Sequence, residues 1–194
     1  MDTDKDKDTI IKFRKDSYVV SFGTEAGFGD EHAYLQRMEE RVRKFPDGQV
    51  IIEKDQEPIG QMELQIREYE GTEIGYVNLF YLNPEYRSKG LGKELVHYAE
   101  NFFRQFNVSE YHLRVSPDNQ RAISLYTNSG MVKIREENEK IPCMENEQII
   151  IKIEIKNYID IIKKVSIHYT MKLFIAMENR VDFREIRIYS EGHN

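Results

Sequence analysis

The stretch Val77-Asn78-Leu79-Phe80-Tyr81-Leu82-Asn83-Pro84-Glu85-Tyr86-Arg87-Ser88-Lys89-Gly90-Leu91-Gly92 carries the residue types that hold a phosphorylated ligand. An apolar run, a tight turn and the start of a helix-periodic stretch follow one another without a gap. The first turn of a helix offers unbonded N–H groups and the positive end of its dipole. Glycines at 90 and 92 let an anion approach that backbone, and Arg87 and Lys89 add charge. Residues Ser88, Lys89, Gly90, Leu91 and Gly92 therefore read as a pyrophosphate cradle, with Ser88 and Lys89 acting mostly through their amides. Two common phosphate loops are excluded. A Walker A loop needs glycine where Arg87 stands and Ser or Thr where Glu94 stands, and a dinucleotide fingerprint needs glycine at Leu95. A second constellation is Asn119, Ala122, Ile123 and Tyr126, spaced to share one helical face. Asn119 and Tyr126 would lie about 10 Å apart along the axis, at ~1.5 Å per residue.

The elements that must position these residues follow from periodicity. Residues 22–30 carry three glycines and read as a loop. Asp30 caps a helix to about Phe45, with Tyr34, Leu35, Met38 and Val42 on one face. Strands are expected at Gln49–Glu53, Ile59–Arg67 and Gly75–Leu82. The last is apolar on both faces apart from Asn78 and so reads as central. The glycine turn opens a helix to about Phe106. Tyr111–Val115 is a short strand, Asp118 or Asn119 caps a helix ending at Gly130, and Met131–Arg135 is a strand. The alternation predicts an α/β (α+β) chain with a mixed sheet flanked by helices.

Arg-x-x-Gly-x-Gly after an apolar strand and the Asn-Pro-Glu-Tyr turn resembles the central acetyl-CoA motif of the GNAT superfamily of N-acetyltransferases. Leu113-Arg114-Val115-Ser116 through Asn119, Ala122, Leu125, Tyr126 and Ser129-Gly130-Met131 resembles that superfamily's second motif. The resemblance spans roughly residues 10–140. It implies a sheet splayed open at its central strand, with the pantetheine arm in the splay. It also implies that backbone groups of Phe80 and Leu82 pair with the pantetheine amides like an added strand. Phe28, Asp30 and Tyr34 would flank the acceptor side, with Asn78 on the substrate side. Turn and cap chemistry explains Phe28, Asp30 and Tyr34 as well, a helix cap explains Asn119, and a core aromatic explains Tyr126.

Acetyl transfer to an amine sets three demands. The departing thiolate favours a proton, which Tyr126 suits as general acid. The carbonyl oxygen favours an N–H donor, such as a backbone amide near Leu79 or Phe80. The amine must be neutral. Many family members place a glutamate on the central strand about six residues before the proline, where Asn78 stands here. That demand has no fixed owner: Glu63 on the neighbouring strand is the candidate base through a water, with Glu73 and His112 behind it, and a solvated strand glutamate is the more common role for Glu63. An α-amino group needs less help than a lysine.

Composition bounds the rest. The chain has 194 residues and a net charge of −6, which disfavours nucleic acid and favours a cationic partner such as an amine. No apolar stretch approaches a membrane span, no signal peptide is evident, and a cytoplasmic protein is expected. The single Cys143 precludes an intramolecular disulfide, the histidines show no metal-ligand spacing, and no metal is expected. Residues 1–9 read as a disordered tail, 10–155 as the acetyltransferase domain, and 156–194 as a C-terminal extension. Residues 141–194 hold 13 isoleucines, against 9 in residues 1–140. Gln148–Ile155 alternates like a strand, 158–177 has helical spacing, and Val181–Tyr189 reads as one more strand. The isoleucine-rich region makes a homodimer an expectation. The expected function is acetyl-CoA-dependent acetylation of a primary amine on a small molecule or peptide. The alternative is a non-catalytic acyl-CoA-binding sensor or scaffold.

Overall fold

A computed structural model describes residues 1–139, 148–155 and 186–189. Among the described residues one mixed sheet of seven strands runs in the order β5-β6-β4-β3-β2-β1-β7. Its strands are β1 (Gln49–Lys54), β2 (Glu57–Tyr69), β3 (Thr72–Leu82), β4 (Tyr111–Val115), β5 (Val132–Glu139), β6 (Gln148–Ile155) and β7 (Ile186–Tyr189). The helices are α1 (Lys7–Phe22), α2 (Glu31–Lys44), α3 (Leu91–Arg104) and α4 (Gln120–Asn128). Two-residue turns join β1 to β2 and β2 to β3. Asp55, Gln56, Glu70 and Gly71 all take positive φ, which matches the right-handed twist of the flanking strands. The pattern expected at 158–177 lies outside the described residues, as do residues 181–185 of the expected last strand, whose residues 186–189 form β7.

Strand alternation divides the core into two layers. Val50 and Ile52 pack with Leu91 and Leu95 of α3, whereas Ile51 packs with Ile10, Tyr34 and Met38 of α1 and α2. Tyr111, Leu113 and Val115 join Val96, Ala99, Phe102 and Phe103 on the α3 side. The sheet thus has α1 and α2 on one face and α3 and α4 on the other.

Helix α1 and the N-terminal residues differ from the sequence-based expectation. Residues 1–9 are not a loose tail, because Met1 is buried with Ile10, Phe28 and Tyr34, and α1 begins at Lys7. The apolar residues of α1 do not form one stripe. Ile10, Ile11 and Phe13 are buried, while Val19 and Val20 are exposed, so helical periodicity is blurred. Gly23 ends α1 in the left-handed region and bonds Val19's carbonyl, as a C-terminal glycine does.

The central event of the fold is a bulge at Asn78. Glu63 pairs with Leu79 and Leu64 with Val77, so Asn78 is the extra residue of β3. The bulge reverses the alternation. Val77 packs on the α3 side, while Leu79 and Tyr81 pack with Phe13 of α1. The parallel pairing of β3 with β4 covers only Gly75–Val77 against Tyr111–Leu113 and stops where the bulge begins. Beyond it the two strands diverge, and among the described residues Leu79–Leu82 keep only β2 as a ladder neighbour.

Candidate active site

The divergence of β3 from β4 opens a cleft of about 870 Å³. Its walls are Asn78–Leu82 of β3, Leu113–Ser116 of β4 and its exit, the turn before α3, one face of α4, and Arg14, Ser17 and Tyr18 of α1.

The turn between β3 and α3 is built by backbone conformation. Ser88 and Gly90 both have positive φ, 60° and 90°, and Gly90 caps α3. A β-carbon at Gly90 would meet nothing within 4 Å, so glycine is needed there for its φ and leaves the helix start open. Gly92 has another cause. A β-carbon there would sit 2.8 Å from Leu125 Cδ2, so this glycine lets α3 approach α4. Ser88, Gly90 and Gly92 line the cleft. Leu91 does not, because its side chain is buried under the sheet with Leu95 and Met62. Lys89 lies off the cleft wall with its Nζ 5.6 Å over the Tyr86 ring. Arg87 lines the cleft and is fixed by Nε donating to the Leu82 carbonyl at 2.7 Å. Leu82 therefore brings a carbonyl that already has one donor. Lys93 and Arg121 also line the wall and were not singled out from sequence.

Helix α4 presents Asn119, Ala122, Leu125 and Tyr126 to the cleft. Asn119 is also the helix cap, its Oδ1 accepting from the Ala122 amide at 3.2 Å, which leaves its Nδ2 for another partner. Tyr126 is 7% exposed, and its ring lies 6.4 Å from that of Phe80. Among the described residues nothing hydrogen-bonds its hydroxyl. Burial pushes this phenol well above its ordinary 10.0, so it stays protonated and can donate.

The acceptor side departs most from expectation. Glu63 is neither solvated nor on the cleft wall. It is fully buried and accepts from Tyr34 Oη at 2.9 Å, Arg41 Nη1 at 2.7 Å and Gln61 Nε2 at 3.1 Å. Its oxygens are thus committed to a guanidinium and two neutral donors, and it has no opening to the cleft through which to meet an acceptor. Tyr34 and Phe28 are likewise core residues. Their rings meet edge-to-face at 5.2 Å beneath α1 and α2, away from the cleft. Burial, reinforced by the Glu63 charge, pushes the Tyr34 phenol up. These placements follow from the polar row Gln61, Glu63 and Gln65, which β2 turns towards α2 while Met62 and Leu64 face α3. Asn78 does reach the cleft. Its Oδ1 accepts from Gln65 Nε2 at 3.0 Å, with Arg41 Nη2 at 3.4 Å, and its backbone carbonyl accepts from Arg14 Nη1 at 2.9 Å. His112 is buried beside Glu110 and edge-on to Tyr69, and Glu73 is exposed near the far end of β3. Among the described residues no group of three or more His, Cys, Asp or Glu could hold a metal ion. No helix among them is long and apolar enough to cross a membrane.

The family model for the acetyltransferase (GNAT) family matches residues 11–131. The chain belongs to the GNAT acetyltransferase family. Its sequence is 28% identical over 116 residues to the aminoglycoside N(6')-acetyltransferase type 1 of Acinetobacter haemolyticus, covering 57% of this chain and 77% of that one. This acetyltransferase also shares its fold with solved structures. The ribosomal-protein-alanine N-acetyltransferase of Brucella melitensis superposes with a TM-score of 0.64 at 17% identity, covering 80% of this chain and 96% of that one. The spermidine N-acetyltransferase of Vibrio cholerae, in complex with CoA and spermine, gives 0.57 at 20% identity, covering 80% and 93%.

Proposed function

We propose that this GNAT acetyltransferase moves the acetyl group of acetyl-CoA onto a primary amine by direct attack. The observation that carries the reading is the convergence of three features on one cleft: the turn residues Ser88, Gly90 and Gly92 at the start of α3, the β3 edge left by the bulge, and Tyr126. The helix start and Arg87, Lys93 and Arg121 suit the phosphates. Asn119 and the β3 edge at Phe80 suit the amides of the pantetheine arm. Tyr126, two helical turns along α4, suits the sulfur. The amine nitrogen bonds to the thioester carbonyl carbon, the C–S bond breaks, and the proton that the amine loses ends on the CoA sulfur. Tyr126 donates to the departing sulfur and regains a proton from the acceptor side through water. The Leu79 amide, set by the bulge, suits the oxygen that gains charge. Glu63 holds Arg41 and Tyr34 in place, and the acceptor enters as the neutral amine.

A thiol-release assay with acetyl-CoA and a panel of amines tests the reading. Amine-dependent release with an acetylated product supports it. Tight binding of acetyl-CoA with no release for any amine supports the sensor reading instead.

A further inference from the structure

Beside the reacting centre, the one buried side-chain polar atom of the cleft wall without a hydrogen-bond partner among the described residues is a donor, Asn78 Nδ2. Two guanidiniums, Arg14 and Arg41, face a single carboxylate, Glu63. Arg41 pairs with that carboxylate directly at 2.7 Å. Arg14 stands on the cleft wall with one Nη on the Asn78 carbonyl and its ring-facing side 5.4 Å over Tyr18. The cluster therefore keeps one positive charge in excess, and a charge in a largely buried setting calls for a counter-ion. Next to it, the buried Asn78 Nδ2 has no hydrogen-bond partner. Its orientation is fixed, because Oδ1 is the atom that accepts from Gln65. Carboxylates nearby are committed elsewhere. Asp16 accepts from Tyr81 Oη at 2.8 Å, and Glu31 pairs with Lys15 at 2.7 Å. Asp118, at the mouth of α4, is the only acidic residue on the cleft wall among the described residues.

Resting on the acetyl-transfer reading above, we infer that the acceptor carries a carboxylate close to its amine, which Arg14 and Asn78 Nδ2 receive, so that the acceptor class is α-amino-acid-like rather than polycationic. The excess positive charge also disfavours the ammonium form of an amine bound beside it, which promotes the neutral nucleophile. A polyamine brings only more positive charge to the same place.

Matched pairs test this on the full chain: phenylalanine against phenethylamine and alanine against ethylamine, with spermidine and kanamycin alongside. The carboxylated member should show a kcat/KM at least about tenfold higher, the effect of one charge-assisted hydrogen bond. Arg14→Gln should reduce that preference to under about threefold, and Arg14→Lys should retain part of it. Binding of N-acetylphenylalanine and N-acetylphenethylamine, measured by calorimetry in the presence of CoA, reads the same contact without turnover. Preferred binding of the carboxylated product with no turnover for any amine would support the carboxylate site while refuting acetyl transfer. Equal kcat/KM and equal binding within each pair would overturn the inference. So would an Asn78→Ala loss of kcat that is the same for both members, because Nδ2 would then serve the reacting carbonyl.

Discussion

Replacing Tyr126 with phenylalanine removes one hydroxyl from a site where everything else about the side chain is structural. The ring packs against Phe80 in the cluster that includes Val115 and Met131, and phenylalanine preserves that packing. The hydroxyl has no protein partner among the described residues, so its removal orphans no buried group. Stability should stay within about 0.5 kcal/mol of wild type. The role assigned to the hydroxyl is made when the thiolate departs, so its loss belongs in kcat. A positioned acid is worth typically 10²–10⁴-fold, or about 2.7–5.4 kcal/mol. Burial holds the phenol above its ordinary value, so wild type should show no alkaline limb from Tyr126 below about pH 10. Steady-state kinetics on an established acceptor, a calorimetric constant for acetyl-CoA and a thermal melt form the assay. A kcat within about twofold of wild type would refute the acid role. Weakened acetyl-CoA binding with kcat intact would make Tyr126 a binding residue instead.

Three further substitutions probe other parts of the account. Gly90→Val forces a β-branched residue into φ 90°, at a cost of about 1–3 kcal/mol, and should weaken acetyl-CoA binding by calorimetry; wild-type affinity would contradict the cradle. Gly75→Ala places a β-carbon 2.6 Å from Phe103 Cδ1 and 2.7 Å from Tyr111 Cβ. It should destabilise the protein by about 1–3 kcal/mol in urea unfolding, and an unchanged midpoint would show that the aromatic layer can yield. Burial pushes the Glu100 carboxyl up to about 7, only partly opposed by Arg104. The folded state thus holds a proton that the unfolded state loses from about pH 4.5 upward, and stability falls as pH rises through 7. Glu100→Gln should therefore stabilise the protein above pH 7, by on the order of 1 kcal/mol once partial exposure is allowed for, and have no effect near pH 4.5. A gain of equal size at both pH values would refute the linkage.

Much of the fold is legible where periodicity and turn chemistry agree. The expected strands at Tyr111–Val115 and Gln148–Ile155 coincide with β4 and β6. Asp30 caps α2 as expected, and of the two candidates for the α4 cap, Asp118 and Asn119, it is Asn119 that accepts from the helix. The face shared by Asn119, Ala122 and Tyr126 comes from a single helix, so local spacing is enough to bring those residues to one wall. The acceptor side depends on pairing across elements, which spacing does not encode. The Asn78 bulge is invisible in an apolar run, yet it decides which face Leu79 and Tyr81 take. Glu63 alternates like a surface residue, and only the docking of α2, with Arg41 and Tyr34, makes it buried. Arg14 was missed because α1 lacks a clean apolar stripe; Gly23, as a helix-ending glycine, was the signal that could have placed it.

A single-turnover experiment tests the central claim most directly. The full chain is loaded with acetyl-CoA bearing an isotopically labelled acetyl group and mixed with phenylalanine, and the products are followed by mass spectrometry. The account predicts labelled N-acetylphenylalanine in amounts equal to the CoA released, with Tyr126→Phe slowing both together. Released CoA with labelled acetate and no labelled amide would contradict acetyl transfer to an amine, and so would bound acetyl-CoA that stays intact whether phenylalanine, phenethylamine, spermidine or kanamycin is supplied.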